Sequence, residues 1–131
     1  MSNFNPKNIK ILLIEDDPFL LNMYSTKFEI EGFEVVTAGD GEDGLKKIKE
    51  VQPNIILLDI LMPKMNGFEV LEHIQKLENQ EIKKIPVILL TNLNQKEEIE
   101  KGMNLGAVDY LIKAHFMPSE VVGKIRIILE K

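Results

Sequence analysis

Acidic residues stand in this sequence where acids are costly to keep. Glu15, Asp16 and Asp17 follow directly on Ile11-Leu12-Leu13-Ile14, and Asp59 stands between Ile55-Ile56-Leu57-Leu58 and Ile60-Leu61-Met62-Pro63. An unpaired acid buried in so apolar a run costs several kcal/mol, so Asp59 reads as a residue with work to do. If Glu15, Asp16 and Asp59 converge, they repel one another, and the cluster calls for a cation or a bound proton. Oxygen donors alone, with no Cys in the chain and no His adjoining the acids, favour Mg²⁺. Such sites commonly handle phosphate. Thr91 and Lys113, each directly after an apolar run, add a hydroxyl and an ammonium. Alone, either would be an ordinary strand end. Asp17, placed before Pro18, reads first as a helix cap. His73 and His115 have no metal-ligand spacing and read as a helix-surface and a loop residue.

The elements that must position these groups follow from periodicity. Short runs rich in Ile, Leu and Val at 9–14, 33–37, 55–58, 87–90 and 108–112 have strand length. Amphipathic stretches separate them. The first carries Leu20, Met23, Tyr24 and Phe28 at helical spacing, and the last carries Val121, Val122, Ile125, Ile128 and Leu129. Gly32 suits the end of the first helix, while Asn66 with Glu69, and Asn94 with Glu97, have capping-box spacing. Strands apolar on both faces, alternating with helices, predict an α/β fold: a three-layer, doubly wound (βα)5 arrangement around a parallel sheet. Ligands of such sheets bind at the carboxyl ends of the strands. With strand order 2-1-3-4-5 the first and third strands are neighbours, and Glu15, Asp16 and Asp59 meet.

Composition narrows the functional classes. The 131 residues carry 16 Lys plus Arg against 21 Asp plus Glu, and Arg126 is the sole arginine, so direct nucleic-acid binding is not expected. Without Cys, neither disulfides nor thiol chemistry is available. Apolar stretches such as 11–14 and 55–58 fall far short of the roughly 20 residues a membrane-spanning helix needs. The first ten residues do not have the pattern of a signal peptide. No repeat, linker or low-complexity segment interrupts the chain. A single domain in the cytoplasm, with no membrane insertion, is the expectation.

In this order, the acid pair after the first strand, the lone Asp59 followed by Met62-Pro63 and Gly67, then Thr91, then Asp109-Tyr110-Leu111-Ile112-Lys113, resemble the receiver domain of two-component response regulators. The resemblance covers nearly the whole chain, with 1–8 as a short N-terminal extension and 9–131 as a chemotaxis-receiver-like domain of flavodoxin-like fold. It implies that Asp59 accepts a phosphoryl group. It further implies that Asp16 binds Mg²⁺ directly, that Glu15 holds it through water, and that Leu61 lends its main-chain carbonyl. Lys113 and Thr91 would act on the phosphoryl group, and Thr91 and Tyr110 would switch the face made by the fourth helix, fifth strand and fifth helix. Such a protein is a signalling phosphoacceptor rather than an enzyme with a separate substrate, although it catalyses its own phosphoryl transfer and a slow self-dephosphorylation. The implied partners are a sensor histidine kinase or histidine phosphotransfer protein as donor and an unidentified downstream protein, with a weak homodimer through the output face.

Two departures from the family pattern stand out. Ala114 follows Lys113 where the family usually has Pro after a cis bond. A cis bond before Ala costs about 2.5 to 4 kcal/mol, so either this peptide is strained or the loop takes another path. Asn92 replaces the usual small residue after Thr91. Leu61 and Leu93, two places after Asp59 and Thr91, occupy positions that in the family flank the path of hydrolytic water, which predicts slow dephosphorylation. Competing readings fare worse. A flavin-binding fold would want a hydroxyl- and Gly-rich loop where Glu15-Asp16-Asp17 stands. A phosphatase of the haloacid dehalogenase type would want an acid at Leu61. A receiver-fold interaction module independent of phosphorylation is the remaining alternative.

Overall fold

The computed structural model describes residues 4–92, 95–113 and 117–130. A parallel sheet of five strands has the order β2-β1-β3-β4-β5. Its strands are β1 (Lys10–Ile14), β2 (Glu34–Ala38), β3 (Ile55–Asp59), β4 (Val87–Thr91) and β5 (Asp109–Ile112). The sheet topology is the one expected from the sequence. The strands are displaced by a residue or so from the apolar runs, and two of them end on the polar residue that follows the run, Asp59 and Thr91. The ladder therefore fixes those residues' backbones.

Six helices connect and cover the strands among the described residues: α1 (Pro18–Ile30), α2 (Gly41–Val51), α3 (Gly67–Gln75), α4 (Gln80–Lys83), α5 (Lys96–Asn104) and α6 (Pro118–Leu129). The one-turn α4 is an addition to the five-unit plan. Asn79 caps it by accepting from the Glu81 and Ile82 amides, and Ile82 is buried in the core. A turn so short has no periodicity to betray it. The fourth and fifth long helices of the expected plan are thus α5 and α6.

Side chains alternate between two cores. On one face Leu12, Ile14, Ile56, Leu58 and Leu89 pack with Ile48 of α2, with Val70, Leu71 and Ile74 of α3, and with Ile82 of α4. On the other, Ile11, Leu13, Leu57, Ile88 and Leu90 pack with Tyr24 and Phe28 of α1 and with Val121 and Ile125 of α6. Helix α5 joins the first face at close range: a Cβ on Gly102 would come 2.2 Å from Leu89 Cδ1.

The helix starts follow the expected chemistry at two places and depart from it at a third. Asp17 Oδ1 accepts from the amides of Phe19 at 2.9 Å and Leu20 at 3.4 Å, capping α1. Asn66 and Glu69 form a reciprocal capping box on α3. Helix α5 starts at Lys96 with Gln95 at the N-cap, not with Asn94, which lies outside the described residues; Gln95 makes no side-chain cap bond. The segment expected as an N-terminal extension is partly packed onto the domain. Pro6–Asn8 form a short 3-10 turn, and Phe4 meets the Phe33 ring edge-on with centroids 6.2 Å apart, under the guanidinium of Arg126.

Candidate functional site

Pairing of β1 with β3, in register from Ile11 opposite Ile55 to Ile14 opposite Leu58, places the residues after β1 beside the end of β3. The Glu15 amide continues the ladder by donating to the Ala38 carbonyl at 3.1 Å, so this acid is held like a strand residue and is 0% exposed. Asp59 closes β3 and is 2% exposed. Asp16 lies exposed beside them. One carboxylate oxygen from each of the three falls within 4.8 Å of the others, so the cluster expected from the sequence forms.

Lys113 joins it from beyond β5. Its Nζ lies 2.9 Å from Glu15 Oε1 and 2.9 Å from Asp59 Oδ1, bridging the two buried acids. Its backbone is pinned twice: the amide donates to the Thr91 carbonyl at 2.9 Å, and the carbonyl accepts from the Tyr24 hydroxyl at 3.1 Å. Whatever path the chain takes after Lys113, these two bonds set where its side chain starts. Residues 114–116, and with them the Lys113-Ala114 bond and His115, lie outside the described residues. So does Leu93.

The remaining Asp59 oxygen, Oδ2, is buried and has no hydrogen-bond partner among the described residues. Leaving a buried acceptor unsatisfied costs about 1 to 3 kcal/mol, more for a charge. Burial, and after it the carboxyl of Glu15 alongside, push Asp59 up to about 8, and the ammonium of Lys113 offsets only part of that. For Lys113 itself burial pulls the pKa down, but Asp59 and Glu15 outweigh it and leave it raised. Tyr24 is raised too, first by burial and then by Glu15. One ammonium is thus too little positive charge for three acids. An orphaned hard oxygen on a member of a carboxylate cluster is what a divalent cation of the Mg²⁺ type would satisfy, and the donor set fits one.

Thr91 and Tyr110 lie on the neighbouring strands β4 and β5. Thr91 is 1% exposed, and its hydroxyl donates to Gln95 Oε1 at 2.7 Å. Tyr110, 39% exposed, lines a groove of about 420 Å³ with Asn92, Gln95, Lys96 and Ile99. Leu61, two residues past Asp59, is 53% exposed. The β3–α3 connection stays tight because Gly67 packs against the strand end: a Cβ there would fall 2.6 Å from the Asp59 carbonyl oxygen and 2.9 Å from Ile60 Cα. His73 is exposed on α3 and takes no part.

Two residues that bond to members of the site escape a reading of the sequence. Tyr24 reads as part of an apolar stripe, although a buried Tyr hydroxyl among aliphatic residues generally finds a partner and could have been flagged on that ground. Gln95, in a polar stretch without periodicity, gives no signal.

With the geometry in hand, the chain can be set beside known proteins. A family model described as the response regulator receiver domain matches residues 11–126. The transcriptional regulatory protein CpxR homolog of Haemophilus influenzae is 39% identical over 93% of this chain and 51% of its own length. The alkaline phosphatase synthesis transcriptional regulatory protein PhoP of Bacillus subtilis is 34% identical over 95% of this chain and 50% of its own. The chain therefore spans about half the length of these regulators. Among solved structures, the Vibrio cholerae chemotaxis protein CheY4 superposes with a TM-score of 0.82 at 29% identity, over 92% of this chain and 98% of that one. No helix among the described residues is long and apolar enough to cross a membrane.

Proposed function

The chain belongs to the response regulator receiver domain family, and from that premise we propose that it takes a phosphoryl group from a phosphohistidine donor onto Asp59 and signals through the α5–β5–α6 face. Proteins of this family are signalling proteins of two-component systems. The observation that carries the reading is Asp59 itself: a buried carboxylate at a strand end, one oxygen held by Lys113 and the other without a hydrogen-bond partner among the described residues.

In the proposed reaction an Asp59 oxygen attacks phosphorus in line, and the bond from phosphorus to the donor's imidazole nitrogen breaks with its electron pair staying on nitrogen. The product is an acyl phosphate on Asp59. Lys113, already beside Asp59, donates a hydrogen bond to the transferring group and offsets its charge. Mg²⁺ held by Glu15, Asp16, Asp59 and the Leu61 carbonyl would supply the positive charge that keeps Asp59 ionised beside Glu15 and screens the phosphoryl oxygens. Thr91 then turns its hydroxyl to the new phosphoryl oxygen, and Tyr110 moves into the space vacated, which reshapes the output face. Leu61 offers hydrolytic water no hydrogen bond, so self-dephosphorylation is slow; Leu61→Asn should speed it.

The receiver occupies 9–131, with 1–8 as an extension. Its partners are a sensor histidine kinase or phosphotransfer protein and an unidentified downstream protein, in the cytoplasm; a weak homodimer through the output face is part of the proposal. The domain itself makes no contact with nucleic acid.

The deciding experiment is intact-mass measurement after incubation with Mg²⁺ and acetyl phosphate, and then with histidine kinases. A single phosphoryl addition to the wild type, absent from Asp59→Asn and from a chelated sample, is the expected result. No addition from either kind of donor would transfer the assignment to a phosphorylation-independent interaction module.

A further inference from the structure

Gln95 connects the buried end of β4 to the exposed groove beside β5. Its Oε1 accepts two hydrogen bonds, from the Thr91 hydroxyl at 2.7 Å and from the Asn92 amide at 3.1 Å. Among the described residues, the other acceptor the Thr91 hydroxyl reaches is the Asn92 carbonyl, at the longer distance of 3.3 Å. Gln95 also stands at the N-cap of α5 yet caps nothing there with its side chain. A side chain at that position commonly satisfies the first amides of its own helix, a service worth about 1 kcal/mol with a good capping residue. Here it turns back to the strand end instead.

A hydroxyl has one hydrogen to donate. Thr91 is 1% exposed, so water does not compete for that hydrogen. While it is committed to Gln95 it cannot be given to a phosphoryl oxygen on Asp59. Gln95 in turn lines the groove that holds Tyr110 and Ile99. Release of Thr91 therefore leaves the Gln95 carboxamide, at the wall of that groove, with only the second of its two bonds, the one from the Asn92 amide.

Building on the phosphoacceptor reading above, we infer that Gln95 is a positioning residue that latches Thr91 in the unphosphorylated state, so that phosphoryl binding at Asp59 and the state of the α5–β5 groove compete for one hydrogen bond. The latch opposes activation. Removing it favours the activated arrangement without altering the acidic pocket, which Gln95 does not line.

The test is titration calorimetry with beryllofluoride, a phosphoryl mimic, at saturating Mg²⁺, beside titration with Mg²⁺ alone. Gln95→Met keeps the side chain's length and removes the acceptor, and Gln95→Ala serves as a second variant should Met disturb folding. Loss of a hydrogen bond of ordinary strength predicts beryllofluoride binding tighter by about three- to tenfold, with the Mg²⁺ affinity unchanged. The same substitutions placed on Thr91→Val should give no tightening, because the hydroxyl they release is gone. Unchanged or weaker beryllofluoride binding in both Gln95 variants, or tightening that persists on Thr91→Val, would overturn the latch while leaving the phosphoacceptor reading intact. A wild type that binds no beryllofluoride would overturn both.

Discussion

At the β1/β3 half of the sheet's carboxyl edge, Lys113 ties two buried carboxylates together with contacts of 2.9 Å, whereas at the β4/β5 half Thr91 is held by neutral hydrogen bonds and Tyr110 lies 39% exposed. β1, β3 and β4 are buried along nearly their whole length, whereas β5 buries only Leu111 of its four residues. What also differs is the means by which their functional side chains are fixed. Charge-assisted bonds in a dry pocket are stronger and shorter in reach than neutral ones, so the acidic half is preorganised for one task. A neutral hydrogen bond of roughly 1 kcal/mol can be exchanged for another at little cost, so the other half is suited to carry a change of state. Under the proposed function, chemistry and signal would thus be divided along one edge, on the paired neighbouring strands β3 and β4.

The largest effect should come from Lys113→Met. It leaves Glu15 and Asp59 buried without their shared cation, and breaking a buried ion pair from one side costs about 3 to 5 kcal/mol. Urea unfolding of the metal-free protein at pH 8 should register that loss, and phosphoryl uptake should fail with it. A loss below about 0.5 kcal/mol, the scale of an ordinary surface lysine, would abolish the contrast between the two halves.

Acidity gives the next test. Asp59 is shifted from 3.8 up to about 8 in the fold, first by burial. A carboxyl whose folded pKa lies above its unfolded value holds more protons folded than unfolded between the two values. Its contribution to stability is therefore complete below pH 3.8 and is lost as pH rises through about 8. Lys113 is raised as well, but its contribution begins to fall only above its ordinary value of 10.5, outside this window. In chelator, the wild type should lose on the order of 2 to 4 kcal/mol between pH 5 and pH 8, at about 1.4 kcal/mol per unit. Asp59→Asn should flatten that slope, and Thr91→Val, in the other half, should leave it in place. A flat wild-type profile would mean that the pocket carries its charges without strain.

How much of this was legible before the structure depends on the physics of each element. The strand runs, Asp59 among them, and the Asn66-Glu69 box were readable because burial and capping leave local marks in residue type and spacing. Convergence of Glu15 and Asp59 was readable one step further on, through the strand order such sheets favour. Helix α4 was not, since one turn needs only Asn79 and a single buried Ile82. The start of α5 was misplaced because Asn94 is the better capping residue by type, while Gln95 occupies the cap position with its side chain committed to Thr91. The bond from Tyr24 to Lys113 joins residues 89 apart in sequence, which no local pattern encodes.

Sterics refine the comparison at a smaller scale. Gly67→Ala would place a methyl 2.6 Å from the carbonyl oxygen of Asp59 and 2.9 Å from Ile60 Cα, both backbone atoms that cannot turn aside. Overpacking of this kind costs about 1 to 3 kcal/mol. Because the clash falls on Asp59 itself, the rate of phosphoryl uptake should drop together with the unfolding midpoint. Gly123→Ala on α6 is the counterpart: nothing lies within 4 Å of its added Cβ, and helix propensity favours the change by up to about 1 kcal/mol. If Gly67→Ala kept the wild-type uptake rate, the tight β3–α3 packing would have no part in placing the acceptor.

Tyr110→Ala should change stability least and the propagation of the signal most. Its ring is 39% exposed on β5 and lies along the groove rather than in either core, and substitutions at such surfaces usually stay within about 0.5 kcal/mol. Phosphoryl uptake should also persist, because among the described residues Tyr110 has its hydrogen bond with Asp109 and none with Glu15, Asp16, Asp59 or Lys113. The readout that separates the two halves is the set of backbone amide shifts on adding beryllofluoride and Mg²⁺. In the variant, changes around Asp59 and Glu15 should remain while those along α5 and β5 shrink. If the α5 and β5 changes kept their full size without the tyrosine ring, the signal would pass through Thr91 and Gln95 alone, and Tyr110 would belong to partner recognition rather than to the switch.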